Sequence, residues 1–250
     1  MKRLLAALIF FTRLPFWRLC DVPAEHFKRV VPLWPLTGWL TGALTAAVLW
    51  IAAQAMPLAT AWLLAIAARV LMTGALHEDG LADFCDGLGG GTTRERILAI
   101  MKDSHIGTYG VIGLVLYFLL LMQAAHLHDL SLLLPMVVVA DTWSKMCAAH
   151  LIRLLPYCRK AEEAKIHVTY ERATPKEWLC CIAAGLLPAL LLLPAGYWPA
   201  LVAPVVVLGL LVLLLKRRIG GYTGDCCGAA FLLCELAFYL TCLVIYHQTC

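Results

Sequence analysis

Three aspartates, Asp79, Asp83 and Asp86, recur at i, i+4 and i+7 within His77-Glu78-Asp79-Gly80-Leu81-Ala82-Asp83-Phe84-Cys85-Asp86-Gly87. On a continuous helix that spacing brings all three carboxylates to one face. Like charges so close repel unless a cation neutralises them, and oxygen ligands of this kind suit a hard divalent ion. Mg²⁺ is the first candidate, because it is held by few carboxylates together with water and substrate phosphates. The rival reading is a solvated acidic helix end paired with Arg94 or Arg96, but acidic groups at a helix C-terminus oppose its dipole. The acidic positions do not alternate as in an EF-hand, which sets calcium sensing aside.

Downstream, Gly87-Leu88-Gly89-Gly90-Gly91 leads into Thr92-Thr93, candidate N-caps of a short helix from about Arg94 to Lys102. A glycine-rich loop entering a helix N-terminus can cradle phosphate with backbone N–H groups. No Gly-Lys-Ser/Thr follows, so this is not a Walker motif. Lys102-Asp103-Ser104-His105 comes next, and a second polar centre, Gly220-Gly221-Tyr222-Thr223-Gly224-Asp225, lies after Lys216-Arg217-Arg218. Glu235 stands about two turns into an apolar segment, where an ionisable group is costly unless paired or functional, and Arg69 and Lys145 are the basic residues able to meet it. Asp141 and Lys145 are spaced i, i+4 and are expected to pair on one helix face.

These residues must be positioned by membrane helices. The chain has 250 residues, of which 62% are hydrophobic and 14% charged. Soluble domains average roughly 45–50% apolar and 25% charged, so a soluble reading is excluded. Seven candidate spans appear at residues 30 to 55, 58 to 76, 106 to 125, 131 to 152, 178 to 196, 199 to 215 and 228 to 247, each near the length that crosses the hydrocarbon core. The expected fold is an all-α polytopic bundle forming one catalytic domain, residues 1–250. Met1-Lys2-Arg3 and the apolar run behind it lack a small-residue cleavage site and read as a retained interfacial or half-inserted helix. The eleven cysteines show no spaced metal-binding pairs and read as reduced packing or lipid-facing residues.

With the N-terminus inside, Lys2, Arg3, Arg13, Arg18, Lys28, Arg29, Arg94, Arg96, Lys102, residues 153 to 176 and Lys216 to Arg218 all fall on the cytoplasmic side. The outer loops near Pro57, His126 and Gly196 carry no Lys or Arg. A seven-span, N-in and C-out topology in the cell inner membrane is therefore expected, with the carboxylates at the cytoplasmic face. The net charge of +4 then marks a basic surface suited to anionic lipid or phosphorylated substrates. Nucleic acid is not expected as a partner, and no internal repeat of transporter type is present. A homo-oligomer is left open.

The stretch His77 to Gly87, then Arg94-Glu95-Arg96, Ile100 to Gly110, and Gly220 to Ala230 with Glu235 closely resemble the cobalamin synthase family, adenosylcobinamide-GDP ribazoletransferase. Phe10-Phe11-Thr12-Arg13-Leu14-Pro15 matches that family's N-terminus, so the resemblance covers nearly the whole chain in order. It implies a membrane transferase that joins adenosylcobinamide-GDP to α-ribazole, or its 5′-phosphate, giving adenosylcobalamin, or its 5′-phosphate, and GMP, with Mg²⁺ required. On that reading Asp79, Asp83 and Asp86 hold Mg²⁺ against the pyrophosphate, while Arg94, Lys102, His105 and Thr223 contact substrate. Asp225 or Asp103 orients or deprotonates the ribazole 5′-hydroxyl, with His77 as rival base because its ordinary pKa lies nearer neutrality. His105 stands where the family favours arginine, and Phe84 where threonine is common. No site is carried over from the region Asp141 to Tyr170.

Two rivals are weaker. A CDP-alcohol phosphotransferase would place alanine-arginine after the second aspartate and end in a second spaced pair, neither of which occurs here. A cation or corrinoid transporter would use the carboxylates along a path, whereas these sit at a helix end beside a glycine-rich loop.

Overall fold

The structure is a computed structural model that describes residues 1–127, 129–158 and 170–249. Among the described residues it is all-helical, with one isolated backbone bridge between Tyr157 and Tyr222. The α-helices are α1 (Lys2–Phe11), α2 (Trp34–Ala53), α3 (Leu58–Thr73), α4 (Leu76–Gly90), α5 (Arg94–Lys102), α6 (Thr108–Met122), α7 (Leu130–Leu154), α8 (Pro175–Leu192), α9 (Val202–Arg218) and α10 (Gly224–Thr249). Six helical segments are long and apolar enough to cross a membrane: Val31–Ala53, Thr108–Leu127, Leu130–Leu154, Pro175–Leu192, Ala195–Arg218 and Gly224–Thr249. The bent pair Leu58–Thr73 and Leu76–Gly90 makes a seventh when taken as one span.

Local chemistry sets the helix ends. Thr93 caps α5 by accepting the Arg96 N–H, as the sequence leads one to expect, and Asp129 caps α7 by accepting from Ser131. Thr174 and Glu177 form a reciprocal capping box on α8. Lys216, Arg217 and Arg218 occupy the last turn of α9, where positive charge opposes the negative end of the helix dipole.

The main departure from expectation is at the second span. It does not run straight into the acidic stretch: Gly74 (φ 64°) and Ala75 (φ 56°) are both left-handed, and α4 leaves α3 at 89°. A left-handed glycine is cheap, but Ala75 adopts this conformation only because its surroundings hold it. Ala75 donates its N–H to Val70, and Arg13 donates its backbone N–H to Met72 at 2.7 Å, so the entering chain braces the break. At 16 residues α3 is about 24 Å long, shorter than the roughly 30 Å hydrocarbon core. The acidic motif thus begins a new helix crossing the bundle.

Gly87, Gly89 and Gly90 belong to the last turns of α4, and Gly91 donates its N–H to Gly87 at 2.9 Å. Their amides serve the helix, so the expected glycine-rich phosphate loop is not formed. Arg218 finishes this end by donating to the carbonyls of Leu88 (3.2 Å) and Gly91 (2.8 Å).

Small residues let the helices approach closely, as membrane packing requires. A Cβ on Gly38 or Gly42 of α2 would meet the α7 backbone at 2.9 and 3.0 Å. Across that contact Asp141 pairs with Lys145, and Thr41 donates to Asp141 at 2.7 Å while accepting from Lys145 at 2.7 Å. The expected Asp141–Lys145 pair is present. Glu235 pairs with Arg69 rather than Lys145, and Tyr117 joins both, accepting from Arg69 at 2.8 Å and donating to Glu235 at 2.9 Å. Every described cysteine is free.

Candidate active site

The site lies where α4 crosses the start of α10. A Cβ on Gly80 would meet the Asp225 carbonyl oxygen at 3.1 Å, and one on Gly228 would meet the His77 carbonyl oxygen at 3.1 Å. The two backbones therefore approach closely, and glycine at both positions allows it without displacement. This contact carries Asp79 and Asp225, from opposite ends of the sequence, to the rim of one cavity of about 240 Å³. His77 and Lys145 also line it, as do the rings of Phe11, Trp34, Tyr157, Tyr170, Tyr222 and Phe231. Thr223 is fully buried beside it, donating to Asp225 at 3.2 Å and accepting the Cys226 N–H at 3.4 Å.

The three aspartates do not act alike. Asp79 is exposed, Asp83 is buried one turn further along α4, and Asp86 points away toward α6. Asp86 accepts the Gly107 N–H at 2.7 Å on one oxygen and the Gly110 N–H at 2.9 Å on the other. It thereby closes the N-terminus of α6 from outside that helix. Among the described residues no group of three His, Cys, Asp or Glu side chains is arranged to hold a metal ion.

His77 is 5% exposed, with its ring centroid 4.4 Å from Phe231 and 5.5 Å from Phe11. Its Nε2 has no hydrogen-bond partner among the described residues. Arg94 is engaged structurally, donating to the carbonyls of Ile219 (2.8 Å) and Cys158 (3.2 Å). Lys102 ends α5 and is exposed. Asp103 and His105 form an exposed pair at 2.7 Å, and that hydrogen bond from the His105 ring holds the Asp103 carboxyl below its ordinary pKa. Neither Asp103 nor His105 lines the cavity, and a depressed pKa makes Asp103 the weaker base.

Sequence reasoning missed the aromatic wall and Lys145 as part of this cavity. Tyr157 and Tyr222 meet through paired backbone hydrogen bonds of 2.9 Å, Cys158 to Tyr222 and Tyr222 to Pro156, joining loops far apart in sequence. Nothing in the spacing of either tyrosine signals that bridge. A wider groove of about 640 Å³ adjoins the cavity, shares Tyr157, Tyr170 and Tyr222 with it, and carries Arg153 and Arg172.

Comparison with known proteins agrees with this architecture of motifs. The model of the cobalamin-5-phosphate synthase family matches residues 3–243. A protein of Shewanella sp. (strain W3-18-1) described as adenosylcobinamide-GDP ribazoletransferase is 38% identical over 246 residues, covering 96% of this chain and 93% of the relative. One of the same description from Leptothrix cholodnii is 41% identical over 247 residues, covering 94% and 92%. No solved structure matches. With its two motif centres gathered at one cavity and the match running over nearly its full length, the chain belongs to the cobalamin-5-phosphate synthase family.

Proposed function

We propose that the chain is an adenosylcobinamide-GDP ribazoletransferase that uses the Asp79–Asp225 cavity rim to join the activated corrinoid to α-ribazole or its 5′-phosphate. Support comes from the relatives' shared description and from one structural observation: the Gly80–Gly228 contact sets two carboxylates from separate motifs at one cavity mouth. In this reaction an oxygen–phosphorus bond forms between a ribose hydroxyl and the corrinoid-side phosphorus. The pyrophosphate bond breaks, GMP leaves, and the hydroxyl proton passes to a base.

Atom balance revises which hydroxyl attacks. The 5′-phosphate form has no free 5′-hydroxyl and would keep its phosphate in the product. The nucleophile must be one that both forms share, on C2′ or C3′, and not the 5′-hydroxyl. Asp225 is the base best supported, because it lines the cavity and is oriented by Thr223. His77, in the same wall and with no Nε2 partner among the described residues, stays a rival, while Asp103 stands apart.

The donor chemistry fits Mg²⁺, which takes one or two carboxylates and fills its shell with water and phosphate oxygens. Asp79, with Asp83 one turn along α4, would hold it and leave Asp225 to take the proton; Asp86 would not, since both its oxygens serve α6. When bound, the ion would neutralise pyrophosphate charge. Arg153 and Arg172 line the wider groove, which is where the bulky corrinoid would enter. Lys102 lies on the short helix after α4 and would attract phosphate through its charge. The one-sided placement of Lys and Arg supports an N-in topology, with the site at the cytoplasmic face of the cell inner membrane. GMP release by purified protein from adenosylcobinamide-GDP and α-ribazole, dependent on Mg²⁺ and lost with EDTA, tests this reading.

A further inference from the structure

The 240 Å³ cavity is smaller than the roughly 300–1,000 Å³ typical of sites for drug-sized ligands. A corrin ring cannot enter it, but a flat two-ring base can. Its walls are aromatic from several directions: Phe11 from α1, Trp34 from the start of α2, Tyr170 and Tyr222 from loops, and Phe231 from α10. These rings already pack edge to face on one another, with centroids 5.3 Å apart for Phe11–Trp34 and 6.1 Å for Trp34–Tyr170. Two of the lining residues, Trp34 and His77, also carry buried ring nitrogens with no hydrogen-bond partner among the described residues. A buried polar group left unmatched is destabilising, so native walls rarely keep one without a use.

We propose that this cavity seats the base of the nucleoside acceptor, a planar bicyclic nitrogen heterocycle, so that its ribose emerges toward Asp79 and Asp225. The proposal rests on the ribazoletransferase reading and deepens it by assigning the acceptor's place. Guanine from the activated corrinoid is the other flat bicycle in the reaction. It presents several donors and acceptors around its edge; inside the aromatic wall Lys145 is already engaged by Asp141 and Thr41, and the carboxylates of Asp79 and Asp225 are the groups the ribose and phosphates need. A benzimidazole-type base offers one unsubstituted ring nitrogen, which the Trp34 N–H can satisfy.

The test is steady-state GMP release by full-length protein in nanodiscs, varying α-ribazole at saturating adenosylcobinamide-GDP and then the reverse. Wild type, Phe231→Leu and Trp34→Phe are compared, and equilibrium dialysis of α-ribazole alone gives binding without turnover. Losing one base–aromatic stack is expected to raise KM and Kd for α-ribazole about tenfold. KM for adenosylcobinamide-GDP is expected to stay within about twofold. Trp34→Phe, which keeps an aromatic ring, though a smaller one, and removes the N–H, carries the test if Phe231→Leu does not fold. A rise confined to the KM for adenosylcobinamide-GDP would place guanine in the cavity and overturn the proposal, and unchanged α-ribazole binding in both variants would overturn it as well. If wild-type protein released no GMP yet bound α-ribazole in a Trp34-dependent way, the catalytic reading would fail while the base seat stood.

Discussion

Replacing Asp86 separates a structural carboxylate from a metal-binding one. Its two oxygens each accept a backbone N–H of the α6 entrance, at 2.7 Å from Gly107 and 2.9 Å from Gly110. Hydrogen bonds to a charged group contribute about 1.5–3 kcal/mol each, so the pair is worth about 3–6 kcal/mol if nothing replaces it. Gly107 is half-buried and can turn to water, whereas Gly110 is buried and cannot. The net cost of Asp86→Ala is therefore about 2–4 kcal/mol, above the usual loss of a single N-cap. At about 2–4 °C per kcal/mol for a chain of this size, the unfolding midpoint drops by about 4–16 °C. Asp86→Asn rescues little, because one of the two N–H donors would then face an amide N–H₂. Thermal unfolding in nanodiscs by circular dichroism, with Mg²⁺ and with EDTA, reads this out, and the loss should be the same in both. A variant that unfolds within about 2 °C of wild type but needs far more Mg²⁺ for half-maximal GMP release would refute the reasoning and make Asp86 a metal ligand.

Other perturbations follow from the same contacts. Glu235→Ala leaves Arg69 buried without its closest counter-charge and should cost about 3–5 kcal/mol, seen as a lowered unfolding midpoint. The double change Arg69→Met with Glu235→Leu should cost less than Glu235→Ala alone. Gly228→Ala puts a methyl 3.1 Å from the His77 carbonyl oxygen and 3.4 Å from Gly80 Cα, which must push α10 from α4. A displacement of a few tenths of an ångström at the Asp79–Asp225 rim is expected to lower kcat severalfold while the protein still folds. In the exposed Asp103–His105 pair, the lowered Asp103 pKa means that its stabilisation is present above the ordinary value of about 4 and fades as pH falls through the folded value. NMR titration of His105→Ala should show the Asp103 pKa rising toward that ordinary value.

The sequence carried the bundle, most span positions and the Asp141–Lys145 pair, because apolar length and i, i+4 spacing are local signals. It carried the acidic motif but not the bend before it. Gly74 alone permits a left-handed turn, yet Ala75 joins it only because Arg13 and Val70 brace the break. The glycines from Gly87 to Gly90 read as a loop by propensity and are helical by tertiary support: α6 packs on one side, and Arg218 caps the carbonyls at the end. Asp86 fits the one-face spacing, but its partners lie 21 and 24 residues away. The aromatic cavity was illegible for a similar reason. Its rings come from α1, α2, two loops and α10, and no sequence window contains more than two of its walls.

The most direct test compares Mg²⁺-dependent GMP release from adenosylcobinamide-GDP and α-ribazole by wild type, Asp79→Asn and Asp225→Asn, each checked for an unchanged unfolding midpoint. Wild type is expected to be active with Mg²⁺ and silent with EDTA. Both variants should stay folded and lose at least about 10²-fold in kcat, the scale for removing a group that takes part in proton transfer or charge stabilisation. Folded variants that release GMP at the wild-type rate would show that the chemistry is not at the crossing of α4 and α10.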